Sequence, residues 1–292
     1  RPLMKTTIFW FLTIFCLTAC NPNNEQANTK PTATPPASTS GAPATTPPAT
    51  EPQANTAPDA NCLLRLGFEA WEPYQFMGLD NKASGLDVEL MQAVAHEMNC
   101  QLEMKQGTWV DLMTQLKSGD VDLLLGASVT PAREEFAYFS KPYRKEQFVM
   151  FVRSAASASL PQTTLDEFLA AGKKVGIVSE YYYGAEFATL LSDEKFKAQF
   201  IEASLSELNL ARLLDEEIDG MIEDSFVARS MLRRKGLEQQ IGRHSIELSS
   251  GDVFVMFSKK SVTSQQVWAF NEALTAIAKN GKYQEILDKY QQ

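Results

Sequence analysis

From residue 62 onward, short apolar runs alternate with amphipathic stretches, and this alternation restricts the possible folds more than any other feature of the chain. Leu63 to Phe68 reads as a strand, Asp87 to Met98 as a helix, Gln101 to Lys105 as a strand, Val110 to Lys117 as a helix and Val121 to Leu125 as a strand. After the apolar run Phe148 to Val152 the pattern begins again, with helix Thr164 to Ala171, strand Lys174 to Val178 and helix Gly184 to Leu191. Strand Phe200 to Glu202, helix Leu205 to Leu214 and strand Gly220 to Ile222 follow. Two last helices, Val267 to Ile277 and Gln284 to Tyr290, are separated at Asn280-Gly281 as by a helix C-cap. Strands that alternate with helices pair in parallel, because the helix carries the chain back across the sheet face. The expected class is α/β, with mainly parallel sheets flanked by helices, and about 230 residues are enough for two modest domains.

The residues before 62 have a different purpose. Lys5 precedes an apolar run, Thr6 to Leu17, which ends in Leu17-Thr18-Ala19-Cys20, the build of a secretory signal peptide over residues 1 to 19. A membrane-spanning helix would need roughly 20 apolar residues, and Asn21-Pro22-Asn23-Asn24 ends the run short of that. Leu17-Thr18-Ala19-Cys20 also resembles the lipobox of bacterial lipoproteins, which makes Cys20 the candidate lipid anchor. Residues 20 to 61 are almost wholly Asn, Thr, Pro, Ala, Ser, Gln and Gly, and lack the large apolar side chains a core needs. They read as a disordered tether with a reach of roughly 35 Å as a coil and about 120 Å as extended polyproline.

Of the four cysteines, two fall in the signal peptide and at its anchor, leaving Cys62 and Cys100. Each stands just before a predicted strand, so neighbouring parallel strands would bring the two together at one sheet end. An oxidising compartment then favours a disulfide. The net charge of −9 argues against nucleic acid as a partner, since binding a polyanion takes clustered Lys and Arg. The two histidines, His96 and His244, read as surface residues, and no Cys or carboxylate cluster accompanies them at metal-ligand spacing. No metal or cofactor is expected. No Ser-His-Asp or Cys-His arrangement, phosphate-cradling glycine loop or paired-carboxylate motif stands out, so the chain does not read as an enzyme.

An ordered set of short motifs runs through the folding region. It comprises Leu64-Arg65-Leu66-Gly67-Phe68-Glu69, Ser84-Gly85-Leu86-Asp87-Val88-Glu89-Leu90, and Trp109 with Leu112, Leu116, Gly119 and Asp122. Gly126-Ala127-Ser128-Val129-Thr130-Pro131-Ala132-Arg133, Phe139-Ser140-Lys141-Pro142-Tyr143 and Ile218-Asp219-Gly220-Met221-Ile222-Glu223-Asp224 follow, and Phe270-Asn271-Glu272-Ala273-Leu274 to Gly281-Lys282-Tyr283 closes the set. Together these resemble bacterial extracellular solute-binding proteins of family 3, the periplasmic binding proteins of polar amino-acid transporters. The resemblance implies two lobes, 62–149 plus 253–292 and 150–252, joined by crossover strands at Gln147 to Val152 and Val253 to Phe257. It also implies a ligand held in the cleft between the lobes, an ABC importer permease as partner, a monomeric chain, and a place in the periplasm or at the cell surface, held to a membrane by lipid on Cys20.

The same resemblance points to individual side chains. Arg133 would take a ligand carboxylate with its guanidinium fork and Asp224 the ammonium, while Gly126 offers a backbone group and Ser128 a hydroxyl. Trp109, with Trp71 or Tyr74, would sandwich the ligand side chain, and Glu69 would meet a nitrogen at its end. A carboxylate beside stacked aromatics favours a cationic or amide side chain, as in arginine, lysine, histidine or glutamine. One segment departs from the family. Where relatives carry Gly and a Ser/Thr pair after the first strand of lobe two, this chain has Ser179-Glu180-Tyr181-Tyr182-Tyr183, so Tyr181 replaces a hydroxyl pair as the candidate contact. Either Glu180 turns outward or the ligand is not a standard α-amino acid. The alternatives to a binding protein are a periplasmic cyclohexadienyl dehydratase on the same lobes, with Glu180 as general acid, and a ligand-sensing lipoprotein. With the last family helix close to Gln292, no fused domain is expected.

Overall fold

The computed structural model of the chain describes residues 62–248 and 251–290. The signal segment, Cys20 and the tether lie outside the described residues. In chain order the first part runs β1 (Leu63–Phe68), β2 (Phe76–Met77), β3 (Ala83–Ser84), α1 (Leu86–Glu97), β4 (Gln101–Gln106), α2 (Trp109–Ser118), β5 (Leu123–Ala127), α3 (Pro131–Glu134), β6 (Ala137–Phe139) and β7 (Arg144–Glu146). Next come β8 (Phe148–Arg153), α4 (Leu165–Ala170), β9 (Val175–Val178), α5 (Ala185–Ser192), β10 (Phe200–Ala203), α6 (Ser206–Leu214), β11 (Gly220–Asp224), α7 (Ser225–Lys235) and β12 (Ile241–Glu247). The chain then passes through β13 (Gly251–Ser258) to α8 (Ser264–Lys279) and α9 (Lys282–Tyr290).

Two sheets result. The first has the order β4-β1-β5-β13-β6, with β7 also paired to β13, and the second β10-β9-β11-β8-β12. In each, the strands joined through helices pair in parallel, β1 with β4 and β5, and β9 with β10 and β11. The strands that arrive from the other lobe, β13 in the first sheet and β8 in the second, run antiparallel to their neighbours. This is the two-lobed α/β fold. The change of sheet falls at Gln147, between β7 and β8, and again between β12 and β13.

Local sequence explains the element ends. Thr108 caps α2 by accepting from the Asp111 amide at 3.3 Å, and Gly119 stops the helix in the left-handed region at φ +87°. α8 starts on a full capping box, Thr263 with Gln266. The strand expected at Val121 to Leu125 begins two residues later. Asp122 is held outside it, its carboxylate taking the Arg65 amide at 2.7 Å and the Arg65 guanidinium at 2.7 and 3.0 Å. Helix α7 was not anticipated, although Asp224 before it and Gly236 after it are ordinary caps: Asp224 reads as a site residue in sequence, which hides its capping role. His244 is buried rather than exposed. Its Nε2 lies 2.9 Å from the Leu160 carbonyl and its Nδ1 accepts from the Ile246 amide at 3.3 Å, so both ring nitrogens are satisfied inside the lobe.

Cys62 and Cys100 form a disulfide across the start of β1 and β4, with Cα atoms 4.6 Å apart. The bond ties the N-terminal end of the described fold to the end of α1, and Gln101 donates its amide to the Cys62 carbonyl beside it at 2.8 Å. Replacing both cysteines by alanine should lower unfolding stability by about 4 kcal/mol, the chain-entropy value for a loop of this length, as read by denaturant titration. An unchanged midpoint would show that the unfolded chain gains nothing from its release.

Candidate functional site

The site is assembled where the C-terminal ends of β1 and β5 face the loop after β9. Glu69 follows β1 directly, and Trp71 and Tyr74 lie in the loop that the Trp71–Gln75 bridge closes. Trp109 opens α2, Gly126 lies near the end of β5 with Ser128 just beyond it, and Arg133 stands in the short α3 that Thr130 caps. Tyr181 and Tyr182 enter from the second lobe. A small cavity of about 20 Å³ is lined by Glu69, Trp71, Trp109, Gly126, Ser128 and Arg133, together with Tyr181 and its neighbours. Seven of the nine candidate ligand residues therefore converge.

Tyr74 and Asp224 stand outside that wall. Tyr74 turns its ring under the Arg144 guanidinium, 3.6 Å from centroid to Cζ, and lines a broader cavity of about 1160 Å³ with Phe226 and Tyr283. Asp224 caps α7, its Oδ1 accepting from the amides of Phe226 at 2.8 Å and Val227 at 3.1 Å and its Oδ2 from Gln147 at 3.2 Å. Three amides across two oxygens leave acceptor capacity on the carboxylate.

Arg133 is buried, and burial holds its guanidinium below the usual range. Nη1 donates to the Ser128 carbonyl at 3.0 Å and Nη2 to the Glu180 carbonyl at 2.8 Å. The Trp109 indole donates to the same Glu180 carbonyl at 3.2 Å, and the guanidinium lies 5.5 Å from the Trp109 ring. The Gly126 amide donates to the Tyr143 hydroxyl at 2.9 Å. Its φ of +65° suits glycine, and a Cβ there would come within 3.2 Å of Arg144 Nη2 and 3.4 Å of Trp71.

Four carboxylates crowd this region. Glu69 accepts from the Tyr181 hydroxyl, and burial, aided by Glu223, pushes its pKa to about 7. Glu223 accepts from the Trp71 indole at 3.0 Å and from the Asp224 amide at 2.7 Å, its other oxygen has no hydrogen-bond partner, and burial raises it to about 7. Glu146 lies 3.5 Å from the Ser128 hydroxyl and is pushed to about 8, by burial first and then by Asp224, Asp87 and Glu223 against the opposing pull of Arg144. Burial likewise raises Asp224. Sequence reading missed Glu146 and Glu223. Glu223 was visible as a neighbour of Asp224, but nothing in the pattern distinguishes Glu146 from a solvated strand-end charge.

Glu180 is exposed, with a φ of +66°, so its backbone faces the cleft while its side chain faces out. An exposed carboxylate lacks the buried setting that a general acid of the dehydratase type needs.

Carboxyls with raised native pKa values bind more protons folded than unfolded, so stability is lost as pH climbs from about 4.5 through about 8. The melting temperature of the protein without added ligand should fall by about 5 °C or more between pH 6 and pH 9, and Glu146→Gln should flatten the decline. Scanning calorimetry across that range checks both, and a flat wild-type profile would contradict them.

The model of bacterial extracellular solute-binding proteins, family 3, matches residues 64–292. A probable histidine-binding protein of Neisseria gonorrhoeae is 26% identical over 228 residues, which is 74% of this chain and 78% of that protein. An L-arginine-binding protein of Pseudomonas aeruginosa is 24% identical over 237 residues, 78% of this chain and 87% of that one. Among solved structures, an ancestral arginine-binding protein bound to arginine superposes with a TM-score of 0.69 at 22% identity, covering 80% of this chain and 99% of that one, and supports the fold. With the family model spanning the whole of the folding region, this chain belongs to the bacterial extracellular solute-binding proteins of family 3.

Proposed function

We propose that the chain captures a polar or cationic amino acid in the cleft between its lobes and delivers it to the permease of an ABC importer. The observation that carries the ligand class is the buried excess of carboxyl groups. Among the described residues, Glu69, Glu146, Glu223 and Asp224 are buried about the cleft against two buried guanidinium groups, Arg133 and Arg144, and Arg144 is already engaged by Asp87 at 2.8 Å. A ligand that brings a positive charge to such a place compensates the acids, whereas an anionic ligand adds to their repulsion.

In this reading Arg133 binds the ligand carboxylate, with Gly126 and Ser128 beside it. Glu146, which lines the cavity, takes the ammonium, and Asp224 adds its charge from behind. Trp71 and Trp109 flank the ligand side chain and Glu69 meets its terminal nitrogen, while Tyr74 serves by holding Arg144. The relatives' names, histidine-binding and arginine-binding, favour the same class. Lobes at 62–149 plus 253–292 and at 150–252 close on the ligand. Export by residues 1–19, a lipid on Cys20 and the tether would place a monomeric, non-enzymatic receptor in the periplasm or at the cell surface. A Cys62 to Cys100 disulfide suits that oxidising compartment.

Titration calorimetry with arginine, lysine, histidine and glutamine tests the reading, and failure of all four to bind would end it. Arg133→Ala should weaken binding by about 30-fold or more while the fold remains, since one member of a buried charge pair is lost. Glu69→Gln should cost arginine far more than glutamine. Because a bound cation favours ionised carboxyls, arginine should displace up to about one proton near pH 7, visible as a dependence of the binding heat on buffer ionisation enthalpy. No dependence on the buffer would place the acids away from the ligand.

A further inference from the structure

The loop between β9 and α5 crosses from the second lobe and places two groups inside the cleft. At Glu180 the left-handed backbone turns the carbonyl toward lobe one, where it accepts from Arg133 Nη2 at 2.8 Å and from the Trp109 indole at 3.2 Å. One residue on, the Tyr181 ring stands between Trp71 and Trp109. Its centroid lies 6.0 Å from each, at interplanar angles of 78° and 84°. The Tyr181 hydroxyl donates to Glu69 Oε1.

Each part of an amino acid that the cleft would recognise has a counterpart here. An oxygen sits on the arginine fork, a flat group sits between the two tryptophans, and a donor sits on the carboxylate at the end of the slot. About 20 Å³ remains beside them, room for about one water and not for an amino acid. A tyrosine that merely lined the pocket would leave the slot open and Glu69 free for a ligand. This one takes both.

We infer that the Glu180–Tyr181 segment is an internal surrogate ligand, which latches the lobes together and must be expelled before any amino acid enters. The inference rests on the proposed amino-acid site for its competitive arm only. Its latch arm concerns the protein by itself. The segment joins lobe two to Glu69, Trp109 and Arg133 of lobe one, beside the Trp71–Glu223 hydrogen bond at 3.0 Å and the Arg234–Glu72 ion pair at 2.9 Å, which also cross between the lobes. Expulsion reduces apparent affinity by the fraction of molecules whose slot is open. It also makes Tyr181 a specificity determinant, since a ligand must outcompete a ring and a donor in the slot as well as an oxygen on Arg133.

The test compares the full mature chain with its Tyr181→Phe and Tyr181→Ala variants, each refolded from denaturant to strip bound molecules and checked by circular dichroism. Small-angle scattering without amino acid should show a compact wild type and an expanded Tyr181→Ala. L-arginine should contract the alanine variant and leave wild type nearly unchanged. Calorimetry should show arginine binding about tenfold tighter in both variants, Phe because the Glu69 contact is gone and Ala because the slot is empty. Equal dimensions for wild type and Tyr181→Ala without ligand would overturn the latch, and weaker arginine binding in both variants would overturn the competition. If arginine binds none of the three proteins, the proposed ligand class fails, and the scattering comparison still decides the latch. Should the alanine variant not fold, the phenylalanine variant decides: tighter binding supports the inference and weaker binding rejects it.

Discussion

The buried ion pair between Asp87 and Arg144 is the contact on which the cleft depends. Arg144 Nε and Nη2 meet Asp87 Oδ1 and Oδ2 at 2.8 and 3.0 Å, and both side chains are almost wholly shielded from water. The Tyr143 hydroxyl completes the arrangement, donating to Asp87 at 2.8 Å and accepting from the Gly126 amide. Through these bonds the first turn of α1, the end of β5 and the strand leading to the lobe change at Gln147 are fixed to one another. Tyr74, its ring centroid 3.6 Å from the guanidinium carbon, extends the fixture to the loop that carries Trp71. Two charges so deeply buried are tolerated only because each satisfies the other, and removing either would strand its partner in a low-dielectric interior.

A consequence is that Arg144, although it opposes the rise of Glu146 and Asp224, is already paired with Asp87. Among the described residues the buried carboxyls of the lobe interface outnumber Arg133 and Arg144, and they respond to burial by holding protons near neutral pH. That condition makes the site sensitive to any cation brought into it. It also explains why hydroxyl, indole and amide donors surround the same carboxyls: Tyr181 on Glu69, Trp71 on Glu223 and three amides on Asp224. A polar interface of this kind lets the lobes part, since its groups can exchange protein partners for water at small net cost.

Much of the architecture is legible in the chain itself. Apolar runs and amphipathic stretches identify β1, β4, β9, β10 and the helices α1, α2, α4, α5, α6, α8 and α9, because burial on one face imposes a period that short elements still display. Apart from α7 and the short β2–β3 pair, the strands that escaped are those whose register depends on distant partners. β6 and β7 are three residues each and exist because β13 arrives beside them from 105 residues further on or more. β12 is half exposed and alternates weakly, and it forms against β8. Asp122 shows the same limit at finer scale, since its pairing with Arg65 rather than its neighbours decides where β5 starts.

Residue identity in sequence determined the class of fold, the cysteines that pair, and most of the side chains that meet in the cleft. Arg133, Trp109 and Glu69 were recognisable because their chemistry is specific and their local spacing is that of a known family. Tertiary structure alone decided which groups compete for them. That Glu146 and Glu223 join the acid cluster follows from two sheets meeting at Gln147, a juxtaposition no local pattern encodes. That Tyr181 fills the slot follows from a backbone turn at Glu180 and the approach of one lobe to the other. Sequence specifies what each residue can bond, and the burial that makes those bonds exclusive exists only once the lobes are assembled.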